Sequence, residues 1–128
     1  MRGFIVLLFA TSAFITPALA EKSLLSKNFG TCMKKSDGST LSVLECTATE
    51  LKAQDDRLNE AYKKLGATLK QQKRDYLVAS QRRWMQFRDA DCGLQAELAG
   101  KQYELLRLNN CFLYTTAARA KQLEDYLD

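Results

Sequence analysis

The side chains best suited to chemistry in this 128-residue chain are four cysteines, and no histidine accompanies them. Without histidine there is no Ser-His or Cys-His nucleophile pair and no imidazole ligand for a metal. The cysteine spacings include no C-x-x-C, which disfavours a zinc site or a redox dithiol. With the N-terminal export signal described below, an even number of cysteines in a short chain instead indicates two structural disulfides, formed by Cys32, Cys46, Cys92 and Cys111.

Neighbouring carboxylates are the other group that could do chemistry. The pairs Asp55/Asp56 and Asp89/Asp91 could in principle perform acid–base catalysis. Adjacent acids on a helix more often belong to a solvated face. The sequence therefore predicts a protein that is not an enzyme and has no catalytic, metal-binding or cofactor-binding residues.

The N-terminus has the three parts of a secretory signal. Arg2 is followed by an uncharged apolar stretch, residues 3–15, and then by the exit Ala18-Leu19-Ala20. The apolar stretch is too short to span a bilayer comfortably. We therefore expect residues 1–20 to be removed, leaving a single periplasmic or secreted domain, 21–128, with no membrane anchor.

The charge of the mature chain excludes one class of partner. Removing Arg2 leaves 18 basic and 15 acidic residues, a net charge of +3, and the two signs are interspersed. Such a pattern gives no support for a nucleic-acid groove. It does not indicate an oligomeric state.

Composition and periodicity predict an all-α fold. The only proline, Pro17, lies in the signal, and the rest is rich in strong helix formers. We expect a small disulfide-stapled bundle of one short N-terminal helix, near residues 27–35, and three longer helices. A turn at 36–39 precedes a capping box, Ser42 to Glu45, at the start of the first long helix.

Apolar stripes divide the rest of the chain into three helices. The first stripe comprises Leu44, Leu51, Asp55, Leu58, Tyr62, Leu65 and Leu69, and the second comprises Leu77, Trp84, Phe87, Asp91, Leu94 and Leu98. A one-residue slip between them predicts a break near 70–73, although one continuous kinked helix is an alternative. Gly100 ends the second helix. The last helix, about 105–127, carries Leu108, Cys111, Phe112, Thr115, Ala118, Arg119, Leu123 and Tyr126 on one side.

Two features follow if these helices fold back on one another. Asp55 would face Arg88, and the pair is predicted to be a buried structural lock, because a buried carboxylate needs a cation. The turns place Cys32 opposite Cys46 and Cys92 opposite Cys111, within bridging distance. The pairing Cys46–Cys92 with Cys32–Cys111 stays open as an alternative.

Sequence blocks throughout this chain resemble a known family. The blocks are Glu50, Asp55-x-x-Leu58-Asn59-x-x-Tyr62, Ser80-Gln81-Arg82-x-Trp84-x-x-Phe87-Arg88-Asp89-Ala90-x-Cys92, and Cys111-x-x-x-x-Thr116-x-x-Arg119-x-x-x-Leu123. From Cys32 to Leu123 the chain resembles the LprI-like lysozyme inhibitors. The resemblance implies a small periplasmic or cell-surface helical domain with disulfides. The named member is a lipoprotein that inhibits lysozyme, whereas Glu21 follows the signal exit here.

The resemblance implies lysozyme, or another envelope protein, as the partner. An inhibitor needs an exposed loop that enters the sugar cleft, and the candidates are residues 36–40 and 99–103. The alternative function is an envelope adaptor or cell-wall-binding domain without inhibitory activity. Its contacts would be basic side chains, namely Lys34, Lys35, Lys63, Lys64, Arg82 and Arg83.

Overall fold

The described part of the chain is built from helices alone. The structure is a computed structural model that describes residues 24–128, and these form α1 (Lys27–Lys35), α2 (Thr40–Thr68), α3 (Gln71–Ala99) and α4 (Glu104–Asp125). The predicted all-α bundle of one short and three longer helices is therefore confirmed. The predicted signal peptide, residues 1–20, and the cut before Glu21 lie outside the described residues.

Serine side chains begin the first two helices. The Ser26 hydroxyl accepts a hydrogen bond from the Phe29 amide at 3.1 Å, and the Ser39 hydroxyl accepts one from the Ser42 amide at 3.3 Å. The predicted capping box at Ser42 was wrong, because Ser39 occupies the cap and Ser42 lies within the first turn. The Ser42 hydroxyl instead donates to the Asp37 carboxylate at 2.7 Å.

The break between the long helices is a turn. Leu69 and Lys70 are extended, so α2 ends and α3 begins within two residues, which confirms the break and excludes one continuous kinked helix. The Arg74 side chain donates to the carbonyls of Gly66 and Leu69 at 3.0 and 3.1 Å. Carbonyls at a helix end lack hydrogen-bond partners within the helix, and the Arg74 side chain supplies the missing donors. The turn therefore forms without a glycine or proline to mark it in the sequence.

Helix α4 is the central element of the bundle. It packs against both α2 and α3, whereas α1 packs against α2. A helix with two neighbours must bury more than one stripe, and Leu113, Ala117 and Ala120 are fully buried although the predicted stripe omitted them. The alanines allow the neighbouring helices to approach closely.

The main apolar core lies where α2, α3 and α4 meet beside the α2–α3 turn. The buried members of this cluster are Leu58, Ala61, Leu65, Leu77, Ala120 and Leu123, with Tyr62, Leu69 and Trp84 packed against it. Within residues 24–128, no helix is both long and apolar enough to cross a bilayer.

The predicted apolar stripe of α3 was partly wrong. Phe87, Leu94 and Leu98 are exposed, Leu98 by 79%. Trp84 of the predicted stripe does meet α4, but this face continues through Arg88 and Cys92 rather than through Phe87 and Leu94. Aromatic, guanidinium and disulfide contacts join α3 to α4, so this face does not follow the spacing of large aliphatic residues.

Both disulfides join neighbouring helices. Cys32 pairs with Cys46 across α1 and α2, and Cys92 pairs with Cys111 across α3 and α4, at Cα separations of 5.8 and 5.4 Å. The two local pairings are therefore confirmed. The alternative pairing of Cys46 with Cys92 is wrong.

Candidate functional site

An aromatic and guanidinium cluster joins α3 to α4. The Arg88 guanidinium carbon lies 5.0 Å from the centre of the Trp84 ring and 4.9 Å from that of Phe112. Its Nη1 also donates to the Thr116 hydroxyl at 3.4 Å. A cation held over two aromatic faces is attracted by both rings. These contacts place the motif residues Trp84, Arg88 and Thr116 at a helix interface.

Arg119 also contacts Trp84, with its guanidinium carbon 5.8 Å from the ring centre, and only 7% of the residue is exposed. Its guanidinium donates to Gln81 Oε1 at 3.0 Å, to Ser80 Oγ at 3.0 Å and to Gln122 Oε1 at 2.6 Å. Burial lowers the pKa of Arg119 from its ordinary value. All three acceptors are neutral, so the side chain is hydrogen-bonded but has no counter-charge among them.

The predicted Asp55–Arg88 lock was wrong. Asp55 is exposed and accepts only a 3.3 Å hydrogen bond from Asn59, while Arg88 forms an ion pair with Asp89 at 2.8 Å. The prediction assumed that α2 and α3 pack along each other. Both pack along α4 instead, so Asp55 remains on the outer surface of α2.

The other predicted carboxylates make local contacts on their own helices, where Asp56 and Asp89 are exposed and Asp91 is half-buried. Asp56, Asp89 and Asp91 each accept a hydrogen bond from a side chain of their own helix, at 2.7 to 2.9 Å. Local pairs of this kind do not bring two acids together across a cleft. No group of three or more His, Cys, Asp or Glu side chains in the described chain could hold a metal ion.

A buried polar network on α2 was not predicted from the sequence. Glu50 is 3% exposed and accepts hydrogen bonds from the Ser26 amide at 2.7 Å, the Ser26 hydroxyl at 2.5 Å and the Gln54 amide at 2.8 Å. Burial alone would raise the pKa of Glu50, but these hydrogen bonds together outweigh it and hold the pKa below its ordinary value. Glu50 thereby fixes the residue that caps α1.

Arg57 extends this network to α4. Its guanidinium contacts both carboxylate oxygens of Glu124 at 2.6 Å and donates to Gln54 Oε1 at 2.9 Å and to the Leu24 carbonyl at 3.2 Å. Glu50 and Gln54 lie in phase with Leu58 at four-residue steps. That four-residue spacing from the buried Leu58 was the available sequence signal, because residues four apart lie on the same side of a helix.

Several motif residues line a groove between α2 and α3. Asn59 and Tyr62 form one wall, Gln81 and Arg82 form the other, and the groove encloses about 300 Å³. Amide, phenol and guanidinium groups around apolar side chains can bind a sugar or a peptide. Of the remaining motif residues, Leu58 is in the core, whereas Phe87, Asp89 and Ala90 are exposed.

The loop between α3 and α4 projects from the end of the hairpin that these two helices form. Gly100 has a φ of 77° and ends α3, and the Tyr103 amide donates to the Gly100 carbonyl at 2.9 Å. Lys101 is exposed and has no partner among residues 24–128. Leu98 and Tyr103 are also exposed, so a lysine stands between two apolar side chains.

The turn between α1 and α2 carries a negative charge, on Asp37, whereas the α3–α4 loop carries the positive charge of Lys101. Asp37 accepts hydrogen bonds from the Ser42 hydroxyl and the Ser39 amide, and these lower the pKa of Asp37 to about 2. Its carboxylate therefore stays ionised at any physiological pH. The two loops proposed from the sequence thus present charges of opposite sign.

Comparison with known proteins identifies one family. The family model described as lysozyme inhibitor LprI matches residues 32–123, which is most of the chain. Neither the curated proteins nor the solved structures contain a match. The model describes inhibitors rather than enzymes, and it covers both disulfides, the α3–α4 cluster and the α3–α4 loop. The chain belongs to the LprI family of lysozyme inhibitors.

Proposed function

We propose that this protein is a periplasmic or secreted lysozyme inhibitor that acts by protein–protein binding and has no enzymatic activity of its own. Family membership and the two disulfides, which suit an oxidising compartment, support the proposal. It includes a signal peptide, residues 1–20, and one domain, residues 21–128. The observation that supports a binding role is the exposed Lys101 on the α3–α4 loop, which has no partner among residues 24–128.

The chemistry of lysozyme explains why that loop is suited to inhibition. Lysozyme cleaves its substrate with two carboxylates inside a cleft. An inhibitory loop must therefore project and must not carry a negative charge to those carboxylates. Lys101 offers a cation, and Leu98 and Tyr103 offer apolar surface on either side of it.

Electrostatics favour this loop over the α1–α2 turn. A disulfide joins the two helices behind each of them, Cys92–Cys111 behind the loop and Cys32–Cys46 behind the turn, so the bridges lower the entropy lost on binding in both places and do not distinguish them. The turn at residues 36–40 carries the ionised Asp37, which the lysozyme carboxylates would repel.

A lysis assay tests the proposal. Purified protein is mixed with lysozymes of several classes, and clearing of a cell-wall suspension is followed. We expect clearing by at least one lysozyme to slow. Lys101→Glu should weaken this inhibition at least about tenfold, because it puts a like charge against the cleft. Lys73→Glu is the matched control, since it makes the same charge change at an exposed position near the start of α3.

The groove between α2 and α3 supports the alternative, an envelope adaptor or wall-binding domain. Its amides, Tyr62 and Arg82 suit a polar wall component. The same purified protein is therefore incubated with peptidoglycan alone. Sedimentation with the wall and normal lysozyme activity would favour the alternative, and release of soluble fragments would show an enzyme.

A further inference from the structure

A second pocket lies at the opposite end of α3 from the loop. It is formed where the α2–α3 turn meets the end of α4, and its volume is about 320 Å³. Its walls are mainly apolar, and two polar side chains, Ser80 and Arg119, are also part of the lining. The lining residues are Leu65, Leu69, Tyr76, Leu77, Ser80, Arg119 and Tyr126.

Arg119 is exceptional among the arginines of the described chain. Arg57, Arg88 and Arg119 are the three that are not exposed, and the first two form ion pairs with Glu124 and Asp89. Arg119 forms none with any carboxylate of residues 24–128, although it is the most buried of the three. A buried cation without a counter-charge is unfavourable, because it has lost hydration without gaining an opposite charge.

The donors in this pocket are incompletely used. A guanidinium has five N–H groups, and those of Arg119 make three hydrogen bonds. Ser80 accepts one of them through Oγ, and its own hydroxyl hydrogen has no acceptor within the described residues. One guanidinium and one hydroxyl can therefore serve a single anionic group.

We propose that this pocket binds a small amphipathic monocarboxylate, with the carboxylate at Arg119 and Ser80 and the apolar body against Leu65, Leu69 and Leu77. A planar carboxylate matches the fork geometry of a guanidinium. A volume of about 320 Å³ lies at the lower end of the range for small-molecule sites, which favours a compact ligand. The site is separate from the α3–α4 loop and does not depend on lysozyme inhibition.

Octanoate is a suitable probe, and the protein contains its own reporter. Trp84 is the only tryptophan in the chain, and its ring centre lies 5.8 Å from the guanidinium carbon of Arg119. We expect octanoate to change the tryptophan fluorescence saturably and to give a binding isotherm by calorimetry. Octan-1-ol, which has the same body without the charge, should bind at least about tenfold more weakly. Octylammonium should not bind.

Variants test the role of the charge. Arg119→Gln should weaken octanoate binding at least about tenfold, but the change also removes a buried side chain from the packing. Tyr76→Glu provides a test that leaves the core intact, since Tyr76 is 71% exposed at the rim of the pocket. Its new carboxylate should compete for Arg119 and weaken octanoate to a similar extent. Gln86→Glu, at an exposed position outside the pocket, should bind octanoate like the parent protein.

Three outcomes would overturn the proposal. The first is failure of octanoate to bind the parent protein, and the second is binding of octan-1-ol as tight as that of octanoate. The third is a folded Tyr76→Glu protein that binds octanoate as tightly as the Gln86→Glu protein. None of these results bears on the lysis assay, so failure here and failure of the inhibitor function are distinguishable.

Discussion

Glu50 shows how one buried carboxylate joins two helices. It lies on α2, and its oxygens accept hydrogen bonds from both the amide and the hydroxyl of Ser26, the residue that caps α1. A carboxylate held by several donors is stabilised in its ionised form. The attachment of α1 is therefore sensitive to the protonation of one side chain.

We expect Glu50→Gln to lower the free energy of unfolding by about 1–3 kcal/mol at neutral pH, because a carbonyl and an amide cannot accept all three hydrogen bonds. The folded pKa of Glu50 lies below the ordinary value of 4.5, so its contribution is present above that pH and is lost as pH falls through the folded pKa. In urea unfolding, the difference between parent and variant should shrink as pH falls below the ordinary value of 4.5 and through the lower folded pKa. The exposed Glu45→Gln serves as control, and a constant difference for Glu50→Gln would contradict the expectation.

Asp55 and Arg88 should respond differently to truncation. Asp55 is exposed, so Asp55→Ala should change the free energy of unfolding by less than about 0.5 kcal/mol. Arg88→Ala removes a cation from two aromatic rings and a hydrogen bond to Thr116, and it should cost about 1–2 kcal/mol. Chemical denaturation of the two variants checks this. A loss of several kcal/mol for Asp55→Ala would restore the predicted buried pair.

The elements of the fold were largely predictable, but their packing was not. Helix-forming composition and three- and four-residue spacing indicated four helices, and Gly100 marked the end of α3. The pairing of α2 with α3 could not be read in this way, because periodicity shows that a face is buried but not what covers it. Helix α4 takes that place, and this explains both the error at Asp55 and the exposure of Leu94.

Of the two candidate sites, one was predictable from the sequence and the other was not. The α3–α4 loop was predictable, because Gly100 and the polar residues after it interrupt two periodic segments. The pocket at Arg119 was not, since it needs residues from three helices whose relative positions come only from packing. Motif resemblance singled out Arg119 and Trp84 without indicating that one lies against the other.

The two disulfides should stabilise different parts of the protein, one holding α1 locally and the other stabilising the whole bundle. Helix α1 has no buried residue, so removing Cys32–Cys46 by Cys32→Ala/Cys46→Ala should release α1 locally and leave the rest of the bundle intact. Removing Cys92–Cys111 by the corresponding double change should cost about 3 kcal/mol of global stability.

Hydrogen exchange and urea unfolding separate these effects. The first variant should show fast exchange confined to the α1 amides, with protection of α2 and α4 retained. The second should show a lower midpoint for the whole transition. Equal loss of protection in all four helices of the first variant would show that α1 is integral to the bundle.

At the scale of the whole molecule, the proposed export would bring the two disulfides into an oxidising compartment, where such bonds form and persist. We expect protein recovered from the periplasm to have the mass of a chain that begins at Glu21, because Ala18-Leu19-Ala20 presents small residues to the processing enzyme. Ala20→Leu should block the cut and leave a heavier species. A parent protein that retains residues 1–20 would contradict this expectation.

The Arg57 guanidinium has a topological consequence. It contacts the Leu24 carbonyl and the Glu124 carboxylate, so the two extremities of the described chain meet on one side of α2. A short peptide from Asp128 to Leu24 would therefore close the chain into a ring, and new termini could be opened at the exposed Lys70. Such a circular permutant would run α3, α4, α1, α2 and keep both disulfides. Spatial adjacency, rather than the order in which the helices are synthesised, would then define this fold.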